Sequence, residues 1–359
     1  MSRAYVLAVF IPIAIVLDLA NAPAAAIFFS AALGIVPTAI LMSDATEHLA
    51  DRAGPGIGSL LNVTFGNAPE LIIAFVALAD GLQEVVKASL VGSVMGNSLL
   101  VLGFAMLAGG IKHGRQTFSR RAIEHVSRLF LVTTIVLVLP AVVEWIASGD
   151  LPGPNTEHHD YATWVELLSL AVALGLVSHY SYGLTKAMRN RTGIFEAAPD
   201  AEPPAETWTV RRSVALLAIA GALVGVMSEV LVGSIEEASH AVGLSTFFIG
   251  VFVVGIAGNA AEHWVAVVFA IRNKMDLSLN IGIGSSIQIA MFLVPVLVVA
   301  SFVLGPHPMS LVFNPYEIVG IALTGLVVFY VVRSGDTTRF EGALLLGLYA
   351  VLAVVFALA

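Results

Sequence analysis

Cysteine is absent from the 359 residues, so neither a disulfide framework nor thiol chemistry is available. Charge is scarce: 12% of residues are charged against 58% hydrophobic, and the mean hydropathy is +0.92. A water-soluble domain of this length does not tolerate such values. No H-E-x-x-H metal motif and no serine nucleophile elbow occur, which removes the commonest signatures of a hydrolase. The net charge of -8 mixes loop and buried carboxylates and by itself implies no partner. Nucleic acid is not expected among the partners, and no cofactor is expected.

What the chain has instead is a series of apolar segments, each long enough to cross a hydrocarbon layer about 30 Å thick. Spans are expected at about 4–20, 24–50, 57–79, 85–109, 122–147, 162–186, 213–238, 244–271, 277–304, 316–332 and 339–358. They are read as helices, because open strands cannot satisfy their backbone in lipid. The fold class is an all-α polytopic membrane protein of about 11 transmembrane helices. The first span also resembles a signal peptide ending at Ala20-Asn21-Ala22, but Asp18 interrupts its apolar core and favours a retained helix.

Sixteen of the 17 Lys and Arg residues fall on alternate loops of one side, and Lys87 stands alone on the other. The positive-inside rule then puts the N-terminus in the cytoplasm and the C-terminus outside, in a multi-pass protein of the cell membrane. Between spans six and seven, residues 193–210 form an acidic, Pro-rich segment with four carboxylates between Glu196 and Glu206. It is expected to be a hydrated cytoplasmic tether. The chain divides into a leading helix at 1–22, a five-helix repeat at 23–192, this linker, and a second five-helix repeat at 211–359. Because five is odd, the two repeats are inverted with respect to each other.

One stretch occurs twice. Gly66-Asn67-Ala68-Pro69-Glu70 returns as Gly258-Asn259-Ala260-Ala261-Glu262, so Glu70 and Glu262 lie 192 positions apart, each inside an apolar run. Glu47 and Glu236 match upstream. Downstream, Gly92-Ser93-Val94-Met95-Gly96-Asn97 matches Gly284-Ser285-Ser286-Ile287-Gln288. A carboxylate in hydrocarbon is by default functional and partnered, and two of them suit a shared cation. Asn67 and Asn259 stand three positions before each Glu and share its helix face if the helix is intact, although Pro69 in the first half and Gly258 in the second are expected to loosen it. Asn97, Ser285, Ser286 and Gln288 offer neutral oxygens from neighbouring spans. An all-oxygen set with two negative charges fits a hard divalent cation such as Ca²⁺. The same carboxyls take protons when the cation leaves, so Glu70 and Glu262 also carry the proton coupling. Glu229 lies about 24 Å along span seven from Ser213 and is a proton-path candidate, with a hydrogen-bonded structural role as the plainer alternative. Asp44 and Glu47 at one mouth and Glu236 and Glu237 at the other are either acidic guards, with Glu47 and Glu236 in the proton path, or ordinary helix ends. His48 and His263 are expected to pack or hydrogen-bond.

The doubled motif, Gly66-Asn67-Ala68-Pro69-Glu70-Leu71-Ile72 with Gly258-Asn259-Ala260-Ala261-Glu262-His263, resembles the signature repeats of the calcium/proton exchanger (CAX) branch of the Ca²⁺/cation antiporter superfamily. Gly284-Ser285-Ser286-Ile287-Gln288-Ile289-Ala290 is similar to that family's next helix. The resemblance spans the whole chain and implies Ca²⁺ movement driven by inward protons, with Glu70 and Glu262 as shared sites. Sodium/calcium exchangers usually carry a Gly-Thr-Ser type motif in the first repeat, from which Gly66-Asn67-Ala68 departs, and that argues for protons. Exchange of another cation (Mn²⁺, Na⁺ or K⁺) on the same fold is the alternative, followed by a cation channel, which would call for a ring of like subunits. A membrane enzyme using the paired carboxylates is a further alternative. A homo-oligomer is compatible with the chain.

Overall fold

The computed structural model describes residues 3–154, 156, 161–190 and 208–359. The expected tether, with its carboxylates between Glu196 and Glu206, lies outside the described residues. Helix α1 (Phe10–Leu19) follows a 3-10 turn at Arg3–Val9 and packs on α2 (Ala24–Gly66). At 43 residues, α2 would be about 65 Å long if straight, twice a bilayer core. It is not straight. Gly54, at φ 81° and ψ 169°, breaks it, and a Cβ at Gly58 would meet the Ala50 carbonyl at 2.5 Å. Residues 50 and 58 of a straight helix would be about 12 Å apart, so the chain folds back here, and only glycine permits both the conformation and the contact.

The remaining helices are α3 (Ala68–Ala79), α4 (Gln83–Met95), α5 (Leu102–His113), α6 (Arg120–Ser148) and α7 (Thr163–Asn190). Beyond the linker come α8 (Val210–Val242), α9 (Thr246–Ile249), α10 (Gly255–Gly258), α11 (Ala260–Ile271), α12 (Met275–Gln288), α13 (Val294–Ser301), α14 (Pro315–Val331) and α15 (Arg339–Ala357). Side-chain caps start several of them: Thr209 accepts from Arg212 N, Ser245 from Phe248 N, and Asn314 with Glu317 and Thr338 with Glu341 form capping boxes.

Among the described residues, eight helices are long and apolar enough to cross a membrane, and up to ten segments do so if each of two bent pairs is one span. The bent pairs are Leu60–Gly66 with Ala68–Ala79, at 46°, and Thr246–Gly258 with Ala260–Ile271, at 65°. The leading apolar helix, Tyr5–Leu19, is shorter than a full crossing and stands outside that number. The polytopic helical class is as expected, and the expected first span at 4–20 corresponds to this short helix.

Three π-helical stretches interrupt the ladder, at Gly96–Val101, Gly250–Val254 and Ile289–Leu293. The first and third lie at matching places, about 192 positions apart, between α4 and α5 and between α12 and α13. Such one-turn widenings are frequent at functional sites. Helices α4 and α12 carry the buried centre, while α8 lies along α2 and packs against α3. One small feature has no sequence signal: Gln116–Thr117 pairs antiparallel with Asp336–Thr337, Gln116 opposite Thr337. Arg115 and Asp336 form an ion pair beside it. This ribbon ties together two loops that charge sorting puts on the same, Lys/Arg-rich end.

Candidate ion-binding site

Both Glu-bearing spans break one residue after the motif glycine. Asn67 has φ -102° and ψ 23°, Asn259 has φ -89° and ψ 5°, and new helices begin at Ala68 and Ala260. The helix is not intact at either position, so the face that an unbroken helix would give Asn and Glu in common does not form: the Asn is the break itself. Pro69, near the start of α3, lacks the N–H that would continue the preceding helix. In the second repeat the break is sharper without any proline. Each Glu then sits in the first turn of a half-helix, whose N-terminal end carries partial positive charge, while the preceding half-helix ends with unfilled carbonyls.

The two motifs meet. A Cβ at Gly258 would lie 2.8 Å from Glu70 Cγ, so the Glu70 side chain occupies the space that glycine leaves open. Glu70 is 8% exposed, and the carboxyls of Glu70 and Glu262 are near enough for one charge to act on the other. One oxygen of each, Glu70 Oε2 and Glu262 Oε2, is buried without a partner, as is Asn67 Oδ1. Three oxygens of oxygen-bearing side chains thus remain open to a ligand. Ser285 reaches the Glu262 carboxyl.

A hydrogen-bond lattice orients the remaining groups, and it crosses from one repeat to the other. Asn67 donates to Gln288 Oε1 at 2.7 Å. Asn97 donates to Asn259 Oδ1 at 3.0 Å, and Asn259 donates to Ser93 Oγ at 2.9 Å and to the Gly255 carbonyl at 3.0 Å. His263 Nε2 lies 3.0 Å from Asn97 Oδ1, the hydrogen-bonding role expected of it. Each motif Asn is thus held by the third span of the other half of the chain, Asn67 by α12 and Asn259 by α4 and its π-helical extension.

Not every predicted residue enters this group. Ser286 turns to Ser98 Oγ at 2.7 Å and to the Gly282 carbonyl at 2.9 Å, which makes it a staple between α12 and the first π segment. Glu47, Glu229 and Glu236 are exposed. Asp44 accepts from Tyr5 Oη at 2.9 Å, and His48 stacks on Trp208 with ring centroids 4.4 Å apart. Ser98 was missed because its position in the sequence repeats nothing. Among the described residues no cluster of three or more His, Cys, Asp or Glu side chains forms a resident metal centre. Two carboxylates with neutral oxygens are what converge here.

The family model described as "Sodium/calcium exchanger protein" matches residues 23–185 and 212–358. A Ca(2+)/H(+) antiporter of Aphanothece halophytica is 38% identical, over 98% of this chain and 95% of that protein. The Ca(2+)/H(+) antiporter ChaA of Bacillus subtilis is 37% identical, over 96% of each chain. Among solved structures, native YfkE superposes with a TM-score of 0.83 at 34% identity, covering 99% of this chain and 100% of that one. The H+/Ca2+ exchanger CAX has a TM-score of 0.71 at 16% identity, over 99% and 91%, and shares the fold. With its doubled Gly-Asn-Ala-x-Glu motif, two broken spans and full-length relatives, the chain belongs to the calcium/proton exchanger branch of the sodium/calcium exchanger family.

Proposed function

We propose that this protein exchanges Ca²⁺ for H⁺ across a membrane by alternating access, with Glu70 and Glu262 as the groups that cation and protons share. The observation that carries this reading is the meeting of the two motifs: Glu70 against Gly258, and open, buried oxygens on both glutamates and on Asn67. Occupied by one divalent cation or by two protons, the pair is neutral. Empty, it would take two charges through low dielectric, a costly crossing that couples the two flows. Asn67, Asn259, Asn97, Ser285 and Gln288 orient or complete the oxygen set, and Ser286 braces it from α12. The relatives' names, which describe Ca²⁺/H⁺ antiporters, support the choice of ions.

Residues 23–192 and 211–359 act in this account as inverted repeats, the arrangement in which access alternates around a fixed site. A difference between matching positions supports it. Ile249, Phe252 and Val254, in the half-span before Gly258, are 0%, 8% and 3% exposed, whereas their counterparts Ile57 and Leu60 are 58% and 45% exposed and Asn62 is exposed too. Gly250 packs on Ala88 with its Cβ position at 3.0 Å, while the atoms nearest a Cβ at Gly58 are those of Ala50 in its own hairpin. The half-span at the Lys87 end is packed on α4, and its counterpart at the Lys/Arg-rich end is exposed at positions 57, 60 and 62. On the charge-based orientation the site therefore faces the cytoplasm. Ca²⁺ uptake by proteoliposomes under an imposed proton gradient tests the exchange.

A further inference from the structure

A second group of ionisable side chains lies at the end that carries Lys87, apart from the motif glutamates. Lys87 is 1% exposed, and its ammonium donates to the Val312 carbonyl at 2.7 Å and pairs with Glu84 Oε1 at 2.8 Å. The Tyr161 ring centroid is 6.0 Å from Nζ. Glu317, in the first turn of α14, is 0% exposed, and Lys87 and Glu84 both lie within electrostatic range of its carboxyl. Its Oε2 accepts from Asn314 N at 2.9 Å, but its Oε1 is buried and has no partner.

Charge accounting decides the state of this group. One ammonium faces two carboxyls, and its ion pair goes to Glu84. The helix N-terminus and the Asn314 N–H favour an anion but serve Oε2 alone. An ionised Glu317 would leave a charged oxygen with neither donor nor solvent, the arrangement that burial penalises most. A proton on Oε1 makes the group neutral. Two openings reach the neighbours of Glu317: the Glu84 side chain is 18% exposed and lines one with Pro154, Thr156 and Glu236, and Tyr161 lines another with Glu144 and Asp150. Lys87 and Glu84 of α4 are the charged groups that act on Glu317, while Glu236, Glu144 and Asp150 lie on the openings.

We propose that Glu317, braced by Lys87 and Glu84, is a proton-loading station at the Lys87 end, the side from which the driving protons enter. Hydronium at the mouth gives its proton to Glu317 Oε1 and leaves as water, and a water molecule that later takes this proton leaves as hydronium and restores the carboxylate. This station rests on the proton-coupled function and adds a third carboxyl to it. From Lys87 to Asn97 is ten residues of near-continuous helix, about 15 Å. The buried apolar residues Leu90, Val91, Val94 and Met95 occupy that length, so in this state the station holds its proton apart from the motif glutamates.

Glu317→Gln keeps an oxygen to accept from Asn314 N and removes the titration. In the Glu70→Gln/Glu262→Gln double variant, which lacks the motif carboxyls, infrared pH titration is expected to give a protonated-carboxyl band that adding Glu317→Gln abolishes. In the otherwise native protein, Glu317→Gln is expected to slow proton-driven Ca²⁺ uptake by about tenfold or more, the lower range for loss of a proton-transfer group, and to flatten its dependence on pH at the Lys87 side, with Ca²⁺ affinity unchanged. A band that survives Glu317→Gln, or uptake at the native rate at every external pH, overturns the proposal. Failure of the native protein to couple protons to Ca²⁺ would instead remove the antiport reading, and the band would still report whether Glu317 carries a proton.

Discussion

Glu70 lies against Gly258, close enough that a Cβ there would come within 2.8 Å of Glu70 Cγ and 3.1 Å of Cδ, whereas the matching Gly66 has only Asn62 Oδ1 nearby, at 3.8 Å. The sequence repeat makes these glycines equivalent, and the structure makes them unequal. Gly258→Ala is expected to overpack this state and destabilise it by about 1–3 kcal/mol, and Gly66→Ala to be tolerated in it. Thermal unfolding of the two variants in detergent checks this: a lower midpoint for Gly258→Ala alone is expected, and equal midpoints would mean that the contact carries no strain.

The same asymmetry is readable by thiol labelling, because the chain has no native cysteine. A Cys at Asn62, which is exposed, should react readily with a polar reagent, and one at Val254, 3% exposed, slowly. Conditions that drive the protein to the opposite state should reverse the order. Parallel changes at both positions would replace reciprocal access with a single moving gate.

The pH dependence of cation binding follows from competition at one pair of carboxyls. The deprotonated pair binds Ca²⁺ and the protonated pair does not, so apparent affinity should rise with pH through the coupled titration of Glu70 and Glu262 and level off once both are ionised. Calorimetric titration across a pH series measures it. Constant affinity would place the driving protons on other groups.

The helical membrane class, the broken spans and the pair of glutamates were legible in the sequence because each leaves a pattern: apolar length, an internal repeat, and carboxylates inside hydrocarbon. The role of Asn67 and Asn259 was only half legible. Their i, i+3 spacing to Glu assumes continuous helix, but a break at the Asn itself re-aims its side chain toward the opposite repeat, to Gln288 in one case and to Ser93 and Asn97 in the other. Ser286 read as an oxygen ligand by composition and proves to be a staple to Ser98, a contact 188 residues apart that no local pattern records. Glu229 illustrates the converse. Depth along a helix follows from counting residues, but the face it occupies depends on neighbours, and this Glu is on the exposed one. Lys87 stood out only as the odd cation in the charge sorting. Beside its local ion pair with Glu84, the Val312 carbonyl it bonds and the Glu317 carboxyl it acts on come from the other half of the chain.

The central claim is that Glu70 and Glu262 together carry both ions. Purified protein in proteoliposomes, with an imposed proton gradient and Ca²⁺ on the opposite side, measures it most directly. The native protein should accumulate Ca²⁺ as protons flow the other way, and Glu70→Gln and Glu262→Gln should each abolish this exchange while remaining folded in the membrane. Proton-driven Ca²⁺ uptake near the native rate by either variant would contradict the account.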